Sequence, residues 1–232
     1  LGAPFFIMEA LEGRAPPDEY HSHGVLAEAT PAQRERMWLS GIEAMAQLHR
    51  LSPEPFAFLG APQYGDSAAA QELGRWDSFR RWGRIPALPA FSRARTWLEA
   101  HQPRAPGVGL AWGDARPGNQ LFLDGRCVGL LDWETASLGG AESDLGWWLC
   151  YDALITEVAG APRLEGLGGR DETIAAWENF AGRKAEAMEW HEVFGAYRFA
   201  LVYERATALS GAAADAERPN PALVWLGRLT GW

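Results

Sequence analysis

The dipeptide Asp124-Gly125, set between the short apolar runs Gln120–Leu123 and Cys127–Leu131, constrains this chain more than any other feature. Asp-Gly between two such runs favours a two-residue turn with positive φ at both positions, so the runs fold back on each other as an antiparallel hairpin. A turn that tight puts the open ends of the hairpin side by side. One end leads back to Trp112-Gly113-Asp114-Ala115-Arg116-Pro117-Gly118-Asn119, and the other runs on into Asp132-Trp133-Glu134. The oxygen-bearing side chains of Asp114, Asn119, Asp132 and Glu134 are therefore expected to converge at the hairpin mouth.

Carboxylate and amide oxygens together suit a hard cation. Mg²⁺ takes such ligands, keeps several waters and is completed by substrate phosphates. Asp132 and Glu134 are two positions apart, so on an extended chain both point the same way. Asp114, beside such a metal, can accept the proton of an attacking hydroxyl. The plain alternative is that Asp and Asn sit here only because turns favour them. Against it stand the order and spacing of three polar positions, the hairpin between them and the later Asp144-Leu145.

Around this segment the pattern is helical. Thr30-Pro31 is a helix start, with Met37, Trp38, Ile42, Met45 and Leu48 at helical spacing through His49. Further helices are expected over 67–83, 90–101, 145–158, 171–188 and 190–209, with surface loops at 166–169 and 212–221. Asp144 is expected to cap the helix that begins at Leu145. Residues 4–9 read as a buried strand closed by turn-prone Glu12-Gly13-Arg14 and Pro16-Pro17. A chain that opens on Leu1 and runs directly into a strand is expected to follow a preceding segment. The expected fold is α+β, mostly α.

Composition excludes several classes of function. With a net charge of −9 and its 21 Lys and Arg scattered, the chain has no basic stripe to track a nucleic-acid backbone. The most apolar stretch, 145–155, is too short to span a bilayer and contains Asp152. Cys127 and Cys150 sit in apolar sequence and read as thiols of a reducing cytoplasm rather than as a disulfide. No His-x3-His or Cys-x2-Cys spacing occurs, so a zinc site is not expected. The 12 tryptophans fall mostly at helical spacing and read as core, with Trp147-Trp148 a second choice as the wall of a pocket near Asp114. Asp114 and Asp132 would also suit the acid–base pair of a hydrolase, but Asn119 has no place in it.

The run Asp114-x4-Asn119, a hairpin and then Asp132 resembles the catalytic loop and metal-binding Asp shared by protein kinases and aminoglycoside/choline-kinase-like phosphotransferases. The second group is the nearer, because its metal-binding Asp is followed by Trp, as in Asp132-Trp133-Glu134, and then by a glycine-containing turn and Asp-Leu, here Leu138-Gly139-Gly140 and Asp144-Leu145. Pro4 to Arg14 is similar to that family's hinge between lobes. The late segment with Trp190-His191-Glu192-Val193-Phe194 and Tyr197-Arg198 is similar to the branch of kinase domains fused to acyl-CoA dehydrogenases. The resemblance implies the large helical C-terminal lobe of a protein-kinase-like fold, with residues 1–14 as hinge and 15–232 as the lobe, holding a catalytic loop at 112–119 and a metal-binding segment at 132–134.

It further implies a nucleotide, ATP or GTP, and Mg²⁺ as cofactors, and a small hydroxylated molecule as acceptor. Asp114 would be the base, and Arg116 would meet phosphate or acceptor oxygens. Asn119, Asp132 and Glu134 would hold the metal, and the backbone of Met8, Glu9 and Ala10 would face the base of the nucleotide. Two departures stand out. Trp112 occupies the position where the family has His, and the only lysine is Lys184, with no glycine-rich loop before the hinge. By itself the chain is therefore expected to be weak or inactive, the alternative being a non-catalytic lobe that binds a ligand or partner.

Overall fold

The computed structural model describes residues 2, 5, 7–103, 108–211 and 219–232. Its helices are α1 (Gly24–Glu28), α2 (Pro31–His49), α3 (Ala68–Trp82), α4 (Pro89–Ala100), α5 (Ala141–Ala153), α6 (Arg170–Ala181), α7 (Met188–Ser210) and α8 (Pro221–Thr230). Strands β1 (Gln120–Leu123) and β2 (Arg126–Leu130) form the hairpin. No helix among the described residues is long and apolar enough to cross a membrane. Cys127 and Cys150 are both free thiols.

The helix starts follow local chemistry. Thr30 accepts from the Gln33 backbone N–H while the Gln33 side chain takes the Thr30 N–H at 2.9 Å, a reciprocal cap that fixes the entry to α2. Ser67 caps α3 through the Ala70 N–H at 3.1 Å. Gly182, at φ 71°, ends α6 by donating to the Glu178 carbonyl at 2.9 Å, so the helix expected to reach residue 188 stops at Ala181. After Ala153 the expected helix widens into a π turn over Leu154–Val158, where the Ala159 N–H reaches back to the Leu154 carbonyl.

Helices α5 and α7 form the spine. They cross with backbones touching: a Cβ on Gly146 would lie 2.2 Å from the His191 carbonyl oxygen, and one on Gly195 would lie 2.6 Å from that of Gly146. One core packs α3, α4 and α8 around α7 through Leu73, Trp76, Phe91, Leu98, Phe194 and Leu226. A second joins α2, α5 and α6 to the loop before the hairpin through Ile42, Met45, Trp112, Leu145 and Trp177.

The hairpin forms as the sequence predicts, with Asp124 at φ 50° and Gly125 at φ 77°. A bulge between Leu121 and Phe122 shifts the register, so that Leu121 faces Gly129 and Phe122 faces Cys127. It is moored to α2 by the Gln120 amide on the Gly41 carbonyl at 3.0 Å and by the Cys127 N–H on Ser40 Oγ at 2.9 Å.

The strand expected at 4–9 and the loop expected to run to residue 221 also need correction. Residues 5 and 7–9 form no strand, and Ile7 and Met8 are 89 % and 72 % exposed rather than buried. A strand needs a neighbour to take its N–H and C=O groups, and among the described residues this segment has none until Arg14 pairs with Phe122. Pro4 and Phe6 lie outside the described residues, as do residues 212–218 of the expected loop. That loop ends in α8, where Asn220 caps through the Ala222 N–H at 3.1 Å and Pro221 takes the first helical position.

Candidate active site

The loop before the hairpin is fixed by backbone pairing on one side and a buried carboxylate on the other. Ala111 exchanges hydrogen bonds with Ser137 at 2.9 and 3.1 Å, and Gly109 accepts from the Gly140 N–H at 3.0 Å. Gly113 sits at φ 97°, and a Cβ there would fall 2.4 Å from the Thr135 carbonyl oxygen, so only glycine fits. Asp144 is fully buried and accepts from the N–H groups of Trp112 at 2.6 Å and Gly113 at 2.7 Å. Its expected role as a cap is therefore wrong: α5 begins three residues earlier, and the carboxylate turns away from its own helix to hold the loop.

His49 completes this brace. The Trp177 indole N–H donates to His49 Nδ1 at 2.9 Å, which leaves the proton on Nε2 to donate to Asp144 at 2.9 Å. Trp112, at the position where the resemblance implied His, is wholly buried, and its Nε1–H donates to the Leu131 carbonyl at 2.6 Å. It thus ties the loop to the strand end that delivers Asp132.

Asp114 lies at the loop's tip, half-buried, with both carboxylate oxygens in use. Asn119 Nδ2 donates to one at 2.6 Å, the Trp147 indole N–H to the other at 2.7 Å, and Arg116 Nε lies 3.1 and 3.2 Å from the two. Arg116 also pairs with Asp18 and lies over the Tyr151 ring, 5.1 Å from its centroid. Asp18 is in turn placed by its neighbours Tyr20 and His21, which donate to the buried Asp152 at 2.9 and 3.0 Å.

Met8, Glu9 and Ala10 line a cavity of about 930 Å³ together with Leu121, Leu130, Leu131, Asp132, Trp133 and Glu134. Three expected nucleotide contacts and two expected metal ligands thus share one space. The Leu131 N–H donates to the Asn119 carbonyl at 2.8 Å, so the two open ends of the hairpin are joined where Asp132 begins. Asp132 adopts φ 59°, a conformation that L-residues enter at a cost and that clusters at functional sites.

The four side chains expected at the hairpin mouth stand in two pairs, Asn119 bonded to Asp114 and Asp132 with Glu134 on the cavity wall. Among the described residues no three His, Cys, Asp or Glu side chains stand close enough to hold a metal. Asp114 is drawn inward by its three donors, whereas Asp132 and Glu134 are exposed at the cavity wall. Mg²⁺ does not require a protein-only cage, since one or two carboxylates plus phosphates suffice. The donor set fits such an ion. Asn119 uses its Nδ2 on Asp114, and among the described residues its Oδ1 has no hydrogen-bond donor. The Asp132 carboxylate forms no ion pair among the described residues either.

The sequence reading missed His49, set aside as a helix end, and Arg198, noted only as part of a late helix. Asp144-Leu145 was noticed, but its partners at Trp112 and His49 are distant in sequence and left no local signal.

Residues 1–192 match the model of the phosphotransferase enzyme family. The chain belongs to that family. It is 24% identical over 202 residues to acyl-CoA dehydrogenase family member 11 of Pongo abelii, covering 82% of this chain and 25% of that protein. The Rattus norvegicus counterpart is 29% identical over 150 residues, 62% of this chain and 18% of that protein. The chain thus spans a quarter or less of these relatives. Among solved structures, a Ralstonia eutropha protein assigned to the aminoglycoside phosphotransferases superposes with a TM-score of 0.69 at 22% identity, over 96% of this chain and 68% of that one. The ethanolamine kinase of Plasmodium vivax gives 0.57 at 11% identity, over 96% and 63%. The fold is the mostly helical lobe of a kinase-like phosphotransferase, as the sequence implied.

Proposed function

We propose that this phosphotransferase-family chain carries the base and metal ligands of an enzyme that moves the terminal phosphoryl group of ATP or GTP, with Mg²⁺, to a hydroxyl of a small molecule. The observation that supports it most is the link between two clusters: Asp114, hydrogen-bonded to Asn119, and the cavity shared by Met8–Ala10 and Asp132. Asp114 would orient the acceptor hydroxyl and take its proton as the oxygen attacks phosphorus. Asn119 Oδ1 and the Asp132 carboxylate would hold the cation, with Glu134 beside them. Mg²⁺ bound there supplies neutralising charge on the phosphates. Arg116 would meet phosphoryl or acceptor oxygens once drawn from Asp18. The backbone of Met8 to Ala10, free of ladder partners among the described residues, would face the base of the nucleotide.

The named activities of the structural relatives (an aminoglycoside phosphotransferase, an ethanolamine kinase) share an acceptor hydroxyl, which is why the acceptor is proposed only to that class. A second reading, a lobe that binds a ligand without turnover, draws on Lys184. The chain's one lysine is spent on an exposed pair with Glu178 at 2.5 Å, so none serves the phosphates. Release of ADP or GDP in the presence of Mg²⁺ across a panel of amino alcohols, aminoglycosides, sugars and hydroxyacyl thioesters distinguishes the two. Turnover that disappears in Asp114→Ala supports transfer, and nucleotide binding with no turnover on any acceptor supports the second reading.

A further inference from the structure

Asp114 is held from two directions, and only one of them belongs to the loop motif. Arg116 and Asn119 reach it from its own turn, whereas the Trp147 indole N–H reaches Oδ1 at 2.7 Å from α5. Trp147 is buried, and its ring is fixed on both sides. The Arg198 guanidinium lies 4.5 Å from the ring centroid, and Phe199 packs at a centroid distance of 5.6 Å.

Arg198 is itself an unusual support. It is only 1 % exposed, and it donates to the Gly113 carbonyl at 2.6 Å and to Ser143 Oγ at 3.3 Å. Trp76 lies on it as well, at 4.8 Å. One cation from α7 thus grips both the backbone immediately before Asp114 and the indole that donates to its carboxylate. Packing alone does not require an indole here, because a phenyl ring would fill the same sandwich. The N–H is the part that a purely apolar role leaves unexplained, since a buried carboxylate oxygen with one fewer donor is costly.

We infer that Trp147 is a positioning residue, whose indole N–H, steadied by Arg198, fixes the rotation of the Asp114 carboxylate so that its remaining lone pairs face the acceptor hydroxyl. This rests on Asp114 being the base, as proposed above. Orientation of a reacting group to within a fraction of an ångström is where such supports act. Loss of the donor leaves Asp114 in place but free to rotate toward Arg116 and Asn119.

The test combines spectroscopy with kinetics. In the ¹⁵N spectrum of tryptophan-labelled protein, the indole signal that vanishes in Trp147→Phe identifies this residue. It is expected to move when Asp114 is changed to Asn, and a signal that stays fixed overturns the contact whatever the chain's activity. In turnover, Trp147→Phe is expected to lower kcat about ten- to a hundredfold, the range of one hydrogen bond to a charged group, with KM for nucleotide unchanged. Trp190→Phe, which removes a buried indole N–H from the Leu98 carbonyl away from the site, is expected to leave kcat near wild type.

The double variant Trp147→Phe with Asp114→Asn separates the two levels of the argument. If Trp147 acts through Asp114, Trp147→Phe adds almost nothing once Asp114→Asn is in place. Independent, multiplying effects overturn the positioning role. Wild-type turnover by Asp114→Asn overturns the assignment of the base instead.

Discussion

Asp114 is the residue on which the proposed chemistry turns. As the proposed base, its change to Ala is expected to reduce phosphoryl transfer by about 10²–10⁴-fold, the usual worth of a positioned general base, measured as nucleoside diphosphate released at saturating acceptor. A different titration is visible at His191. It is buried in α7, its Nδ1 has no partner among the described residues, and burial pulls its pKa down to about 4 against the opposing pull of Glu142. The unfolded chain takes up this proton near the ordinary histidine pKa of about 6.5 while the folded chain does not, so stability falls as pH drops through that window and levels off below it. Urea unfolding is expected to show wild type losing about 3 kcal/mol relative to His191→Leu between about pH 7 and pH 4. Parallel pH profiles would count against it. The Asp114–Asn119 contact and the shared wall of Asp132 and Glu134 were legible because their spacing is local. His49 and Asp144 were not, since a brace between residues 95 positions apart exists only once α2 and α5 pack.

At the scale of elements, the crossing of α5 and α7 sets where Trp147, Asp144 and Arg198 stand. Gly146→Ala would drive a methyl group into the His191 carbonyl. It is expected to cost about 1–3 kcal/mol in urea unfolding, as overpacking of a close core does. Unchanged stability would mean that the helices are not in backbone contact. Most elements were readable because their signals are local: the Thr30-Pro31 and Ser67 caps and the Asp124-Gly125 turn each satisfied backbone groups within four residues. The strand expected at 4–9 failed for the opposite reason. Apolar and aromatic residues there carried strand propensity, but a strand also needs a neighbour, and propensity alone does not supply one. Helix α1 has no side-chain cap and spans five residues, so it offered nothing to read, whereas α8 did carry Asn220-Pro221 and was overlooked inside an expected loop.

Across the whole molecule, two helical cores flank the crossing of α5 and α7, and the hairpin, moored to α2, separates the work. Its two open ends hold Asn119 and Asp132, and its first strand helps wall the cavity below Met8–Ala10. The kinase-like architecture was inferable because one short segment, Asp114 to Asp132 with Asp144-Leu145 after it, resembles the catalytic loop of that family. What could not be inferred was the hold of Trp147 on Asp114, because it exists only once α5 packs behind the loop. The central claim is that Asp132 and Asn119 hold a cation that carries nucleotide into this cavity. Calorimetric titration of the chain with ADP, with Mg²⁺ and with EDTA in its place, tests it most directly. The account predicts binding that needs Mg²⁺ and weakens at least about tenfold in Asp132→Asn, the loss of one charged contact. Equal affinity with and without the metal, and in wild type and variant alike, would contradict it.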